Sequence, residues 1–318
     1  MNRRLHYSIA ATTAICSACA SVPSFGPWGP AQPVAEINSP AAEGCPIESP
    51  DGLSLYFAST RNAPGAKGKQ DIYRARRTTI GASWGPSENL GAPVNTPEFD
   101  YCPTPTSSGD ALYYVTSMPM TGSCHGDTPP AATPGSPAPG DMVRTQEDPV
   151  RGWLPPVQLG CYPKGPNTSG AEFSPSLVKT AEGTYLFFSS NGYPDSQGQD
   201  IYMSRVQPDG TVQSGVRVAE LSSAADDRMP SVRQDGLEIV FSSNRAGKTP
   251  FDQDIYVSTR SSINAPWSPP ERIDSPSINT PGSETRASLS GDGKRLYFGR
   301  KLTPEDPGDV FVSTRMTR

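Results

Sequence analysis

From Asp226 to Arg260 the chain sets apolar residues against polar ones in short alternating runs. Leu237-Glu238-Ile239-Val240-Phe241 follows an Asp235-Gly236 pair, and Asp254-Ile255-Tyr256-Val257-Ser258 follows a polar stretch. Alternation at period two puts successive side chains on opposite faces of a strand. Asp-Gly between two such runs supplies a turn in which glycine takes φ > 0 without a Cβ clash. With the apolar run before Asp235, the unit reads as three antiparallel strands. Its turn glycine recurs as Gly52, Gly109, Gly183, Gly236 and Gly293. The second strand recurs as Leu55-Tyr56-Phe57, Leu112-Tyr113-Tyr114, Tyr185-Leu186-Phe187-Phe188, Ile239-Val240-Phe241 and Leu296-Tyr297-Phe298. The third recurs as Asp71-Ile72-Tyr73, Asp141-Met142-Val143, Asp200-Ile201-Tyr202, Asp254-Ile255-Tyr256 and Asp309-Val310-Phe311.

A further element lies between the units: a Trp, then a Pro- or Gly-containing stretch, then Asn-Thr or Asn-Ser. It occurs as Trp84 to Asn95-Thr96, Trp153 to Asn167-Thr168 and Trp267 to Asn279-Thr280, with a degraded copy ending at Leu221-Ser222-Ser223. One more copy, Trp28 to Asn38-Ser39, precedes the first unit, whereas the sequence ends just after the third strand of the last. The N-terminal copy therefore supplies the fourth strand of the final unit. Radial repetition of four-stranded units closed in this way predicts an all-β, five-bladed propeller, which leaves only short, protected sheet edges. The expected blades are 43–96, 98–168, 171–223, 226–280, and 283–315 completed by 24–39.

The repeat resembles the TolB-type, WD-like propeller repeat of bacterial envelope and secreted proteins. The match is carried by Ser49-Pro50-Asp51-Gly52, Ser59-Thr60-Arg61, Ser243-Asn244-Arg245 and Ser290-Gly291-Asp292-Gly293. The resemblance covers nearly everything from about Phe25 onward. It implies the propeller fold and an exported protein, and it implies little about activity, since one fold hosts many functions.

Composition narrows the partners. Pro 36 and Gly 30 accompany continuous strand patterning, so they mark tight loops and not disorder. A net charge of −5 with interspersed signs argues against nucleic acid. No apolar run approaches the roughly 20 residues needed to cross a bilayer. Residues 1–20 read as an export signal: Arg3 and Arg4, an apolar stretch from Tyr7 to Ile15, then small residues. Ala18-Cys19-Ala20 fits cleavage after Ala20. Ser17-Ala18-Cys19 equally resembles the end of a lipobox, which would attach a lipid anchor at Cys19. Expected locations are the periplasm, the outer membrane as a lipoprotein, or the exterior.

Four cysteines follow the signal, an even number that suggests disulfides in an exported protein. Cys45 and Cys102 share one column of adjacent blades, and Cys124 and Cys161 flank irregular additions to the second blade. The expected pairs are Cys45–Cys102 and Cys124–Cys161. Zinc is disfavoured because Cys124-His125 lacks a second close ligand pair. Asp195 to Asp200 could hold calcium but is too short for an EF-hand loop. No cofactor is otherwise expected.

Chain direction puts the loops 60–70, 117–140, 190–199, 244–253 and 300–308 on one face. Five residues after each crossover Asn or Ser stands a carboxylate that begins an innermost strand: Glu43, Asp100, Glu172, Asp227 and Glu284. Such a ring could bind an ion or a polar ligand, perform acid–base chemistry, or cap the crossovers. Recurrence in every blade favours capping. Departures from the repeat make better ligand contacts, above all Arg286, with Glu172, Asp227 and Glu284 beside it; Tyr101, Phe173 and Arg228 add aromatic and basic groups. The Asp71, Asp141, Asp200, Asp254 and Asp309 column reads as turn-capping, with Arg61, Arg245 and Arg300 placed to pair with it or with the next blade. The Trp column reads as packing between blades and not as a sugar platform.

His125 is the one histidine after the signal, which argues against Ser-His-Asp or Cys-His catalysis, and neither Gly-x-Ser-x-Gly nor His-Glu-x-x-His occurs. These features favour a non-enzymatic exported scaffold, with enzyme activity left open. It would bind an envelope protein, a peptide or a glycan through the loop-rich face. One alternative is a glycoside hydrolase similar to five-bladed glycosidases, with a carboxylate pair drawn from the ring. Another is a structural envelope lipoprotein without a small ligand.

Overall fold

The computed structural model describes residues 24–127, 138–247, 249 and 251–318. The expected export signal, with Cys19, lies outside them. Strand β1 (Gln32–Pro33) comes first in the chain. Blade 1 contains β2 (Glu43–Glu48), β3 (Ser54–Ser59), β4 (Asp71–Arg76) and β5 (Glu88–Asn89). Blade 2 contains β6 (Asp100–Pro105), β7 (Ala111–Thr116), β8 (Asp141–Asp148), β9 (Gly152–Trp153) and β10 (Val157–Gln158). Blade 3 contains β11 (Glu172–Thr180), β12 (Gly183–Ser190), β13 (Asp200–Val206) and β14 (Val216–Arg217). Blade 4 contains β15 (Asp227–Val232), β16 (Glu238–Ser243), β17 (Asp254–Thr259) and β18 (Glu271–Arg272). Blade 5 contains β19 (Ser283–Leu289), β20 (Arg295–Lys301), β21 (Asp309–Thr314) and, on its outer edge, β1.

All strand pairs are antiparallel, and no helix occurs among the described residues. The inner strands β2, β6, β11, β15 and β19 each pack on the next, and β19 against β2 closes the ring. This is the five-bladed propeller that the repeat predicts. The closure is also as expected: Gln32 opposes Val312 and Pro33 opposes Phe311. Asn38 then fastens the segment by accepting from Val310 N at 2.9 Å and donating to Val310 O at 3.0 Å. Asn95, Asn167 and Asn279 make the same two-way contact with Ile72, Met142 and Ile255 in their own blades. The repeated Asn is therefore a backbone clamp between crossover and third strand.

The core lies between blades, not in one central mass. Val178, Phe187, Ile201 and Leu221 of blade 3 meet Ile239, Phe241, Tyr256 and Trp267 of blade 4. Trp267 sits edge-on to Phe187, with ring centroids 6.4 Å apart, as expected for a packing tryptophan. Phe241 is fully buried, a contribution of about 2 kcal/mol from apolar area alone. Truncating it to alanine would cost more, about 3–5 kcal/mol, because the two sheets cannot collapse into the hole.

One departure shapes the centre. Every inner strand loses register between its second and fifth residues in blades 1 to 4, and at the matching place, Thr285 to Ser288, in blade 5. In that gap Cys45, Cys102, Ser174, Met229 and Arg286 hold φ of 50°, 51°, 48°, 58° and 60°. A left-handed residue inside a strand makes a bulge and is uncommon without glycine. Continuous alternation does not anticipate it. The bulge turns this column towards the axis, and the Cys45–Cys102 and Cys124–Cys161 disulfides both form as expected. Between the bulged strands the axial cavity is only about 30 Å³, room for about one water and no ligand.

Candidate functional site

The five carboxylates stand where the inner strands begin, and all are buried: Glu43, Asp100, Glu172, Asp227 and Glu284. Each accepts the backbone N–H and the hydroxyl of the residue four positions back: Ser39, Thr96, Thr168, Ser223 and Thr280 respectively. The constant spacing thus comes from a cap that holds each crossover to its own inner strand.

Beyond that shared cap the ring divides into two kinds. Glu43 pairs with Arg61 at 3.0 Å, Glu284 with Arg300 at 2.9 Å, and Asp227 with Arg245. This corrects one expectation, because these arginines reach the ring carboxylate of their own blade and not the third-strand Asp column. Register explains it. Glu43 opposes Ser59 and Asp227 opposes Ser243, so an Arg two residues on points to the same face; in blade 5 Glu284 opposes Arg300 directly. Asp100 opposes Thr116 and Glu172 opposes Ser190, and two residues on stand Met118 and Gly192. Among the described residues these two acids have no arginine or lysine paired with them. Burial pushes Asp100 up to about 7 and Glu172 likewise to about 7, against the lowering effect of their hydroxyl and amide donors. Asp100 Oδ1 is buried without a hydrogen-bond partner.

Next to Glu172 lies a group that sequence spacing did not assemble. Asp141 Oδ2 accepts Ser123 Oγ at 2.7 Å, Cys124 N at 3.1 Å and Gln158 Nε2 at 3.1 Å. Among the described residues its Oδ1 has no hydrogen-bond partner, and it lies 3.9 Å from His125 Nε2, which also has none among them. One ligand-type atom from each of His125, Asp141 and Glu172 falls within 4.8 Å of the others. The Cys124–Cys161 disulfide holds His125 there. A nitrogen and two carboxylates suit proton transfer and could equally accept a divalent cation such as zinc, a possibility that the lone Cys124-His125 pair had appeared to dismiss. The weighed calcium loop is otherwise engaged: Asp200 binds Arg217 at 2.8 Å and Asp195 accepts Tyr202 Oη at 2.9 Å.

Above the ring the loop-rich face opens into a cavity of about 830 Å³, lined by the strand starts of blades 1 and 5 and the loops of blades 4 and 5. Gln70 and Phe99 form the wall adjoining Asp100, whose N–H donates to Gln70 O at 2.9 Å. Arg286 forms part of the floor, together with Gly44 and Met229. Tyr101 and Phe173 lie below, buried and tilted together at 6.1 Å, with the Tyr101 hydroxyl donating to Ala138 O. Of the residues expected at the mouth, Glu43, Arg228 and Arg286 line this cavity, whereas Asp100, Tyr101, Glu172, Phe173, Asp227 and Glu284 are not among its lining residues.

No family model matches the chain, and no curated protein matches it. Solved structures do. An α-L-arabinofuranosidase from Lactobacillus brevis matches with TM-score 0.58 and 13% identity, over 90% of this chain and 94% of its own. An α-L-arabinofuranosidase from Podospora anserina, in complex with cellotriose, matches with TM-score 0.54 and 13% identity, over 93% and 98%. TolB from Acinetobacter baumannii aligns with TM-score 0.46 and 12% identity, over 89% of this chain and 57% of its own. At these identities the likeness shows the fold, and the TolB-type resemblance rests on the repeat motifs alone. Glycoside hydrolases recur among the matches, which counts against the expected non-enzymatic scaffold and favours the hydrolase alternative.

Proposed function

We propose that the protein is an exported glycoside hydrolase acting at the loop-rich mouth. The observation that carries this reading is Glu172: a ring carboxylate without the arginine that holds three of its counterparts, poised by burial near neutrality beside Asp141 and His125. Glycosidases need one protonated and one ionised carboxyl group flanking the bond to be cut. In this arrangement, with Glu172 and Asp141 within 4.8 Å, Glu172 gives its proton to the leaving glycosidic oxygen while Asp141 attacks the anomeric carbon, and Glu172 then takes a proton from the water that frees the sugar from Asp141. His125 Nε2, 3.9 Å from Asp141 Oδ1, helps to orient that carboxylate. Asp100 is a second protonatable acid under the cavity wall. Glu43, Asp227 and Glu284, locked to arginines, serve as clamps. The two disulfides support residence outside the cytoplasm, and the mass of the mature N-terminus distinguishes cleavage after Ala20 from acylation at Cys19.

The test is product release from a panel of arabinosides, other glycosides and polysaccharides, using oxidised protein. Native protein should turn over one of these, with a rate limb near pH 7. Glu172→Gln and Asp141→Asn should each lose at least about a hundredfold in kcat with the fold retained. Turnover unchanged in Glu172→Gln, or none by native protein on any substrate, would sink the assignment.

A further inference from the structure

We propose that the mouth cavity selects acidic glycans, seating a uronate carboxylate on Arg286 and Lys301. The proposal deepens the hydrolase reading and rests on its assumption that the ligand is a glycan. Its ground is a charge imbalance. The other charged groups lining the cavity are neutralised locally: Glu43 by Arg61, Arg300 by Glu284 and Arg228 by Asp226. Arg286 and Lys301 remain. Among the described residues neither side chain has a hydrogen bond or an ion pair, and Arg286 Nε is buried without an acceptor. Arg286 is half-buried, and a guanidinium N–H such as its Nε withdrawn from water without an acceptor is costly; an anion entering the cavity would supply that acceptor.

The local architecture is arranged around this one side chain. Its left-handed bulge aims Arg286 at the mouth, where the other blades carry Cys45, Cys102, Ser174 and Met229. Opposite stands Gly44, in the position that holds Tyr101, Phe173, Arg228 and Thr285 elsewhere. A Cβ on Gly44 would lie 2.6 Å from Arg286 Nη1, so a larger residue there would push the guanidinium out of its present place. Burial lowers Arg286 to about 10, and burial together with the Arg286 charge lowers Lys301, as expected of cations that lack counter-charge.

A planar fork of N–H donors matches a carboxylate bidentately, with an ammonium alongside as a point charge. Phe99 and Phe251 add apolar rings, and Pro304 and Pro307 apolar edges, suited to the C–H faces of a sugar; a bare inorganic anion would leave these unused. A protein of net charge −5 does not attract anions indiscriminately, so selectivity has to come from this pocket.

The experiment is calorimetric titration of the mature, oxidised protein with tetragalacturonate, the neutral galactotetraose and inorganic phosphate, at fixed salt. It uses Glu172→Gln as background, so that turnover does not interfere. Tetragalacturonate should bind at least about tenfold tighter than the neutral tetrasaccharide and than phosphate. Arg286→Gln should erase that preference. Lys301→Gln, at the cavity rim, should reduce it about threefold, and this variant keeps the test valid if Arg286→Gln fails to fold. Equal binding of acidic and neutral sugars, phosphate binding as tightly as the uronate, or no binding of tetragalacturonate overturns the proposal. Neutral glycan turnover without uronate preference would overturn it and leave the hydrolase standing. Uronate-selective binding that Arg286→Gln abolishes, without any turnover, would do the reverse.

Discussion

Glu172→Gln should change how the stability of this protein depends on pH, while Glu284→Gln should lower it outright. Glu172 is fully buried and accepts Thr168 N, Thr168 Oγ1 and Ser190 Oγ, yet faces no cation; burial raises it from 4.5 to about 7. In the unfolded chain a glutamate titrates near about 4.3. Between these values the native state keeps a proton that the unfolded state has released. The stability contributed by protonated Glu172 is therefore complete below about pH 4 and is lost as pH rises through about 7. At about 1.4 kcal/mol per unit, a shift from 4.5 to about 7 sets a ceiling of about 3–4 kcal/mol, of which about 3 kcal/mol is lost above pH 5. Gln cannot ionise, so the variant should gain on native protein by up to that amount between pH 5 and 8. Asp100 supplies a residual slope of the same sign in both proteins. Glu284→Gln removes the counter-charge of the buried Arg300, at a cost of about 3–5 kcal/mol near pH 7. Urea unfolding at pH 5, 6, 7 and 8 and constant ionic strength, with disulfides intact, gives both quantities. Native and Glu172→Gln curves that run parallel across that range would refute the argument.

Two further outcomes test the scaffold. Replacing Cys45 and Cys102 with serine opens a loop with a sequence separation of 57 and should cost about 4 kcal/mol in urea stability by chain entropy. A loss under about 1 kcal/mol would show that the ring alone constrains blades 1 and 2. Asn38→Ala removes both contacts to Val310 that fasten the N-terminal segment to β21, at about 2 kcal/mol, and limited proteolysis should then cut within residues 24–38. Unchanged protease resistance would mean that β1 pairing suffices by itself.

The misreading of function has a specific source. Five equivalent carboxylates argued for structure, and all five do cap their crossovers; the two on which the proposed chemistry draws differ only in what is missing beside them. Met118 and Gly192 stand where Arg61 and Arg245 stand in other blades, a signal visible in the chain but legible only once strand register shows which residues face each other. The grouping of His125, Asp141 and Glu172 had no such trace, since three different segments carry them and a disulfide brings the first into place.

Blade number, circular closure, the recurrence of the crossover asparagines and both cysteine pairings were legible in the sequence alone. Each follows from short-range causes: period-two alternation, a turn that requires glycine, and one column repeated at one place in every unit. Tertiary structure alone decided the left-handed residues at 45, 102, 174, 229 and 286, the division of the carboxylate ring, and the unpaired charge of Arg286. These depend on how deeply a group is buried and on what a neighbouring blade brings to it. Such energies arise between residues distant in the chain, and the local pattern of no single repeat encodes them.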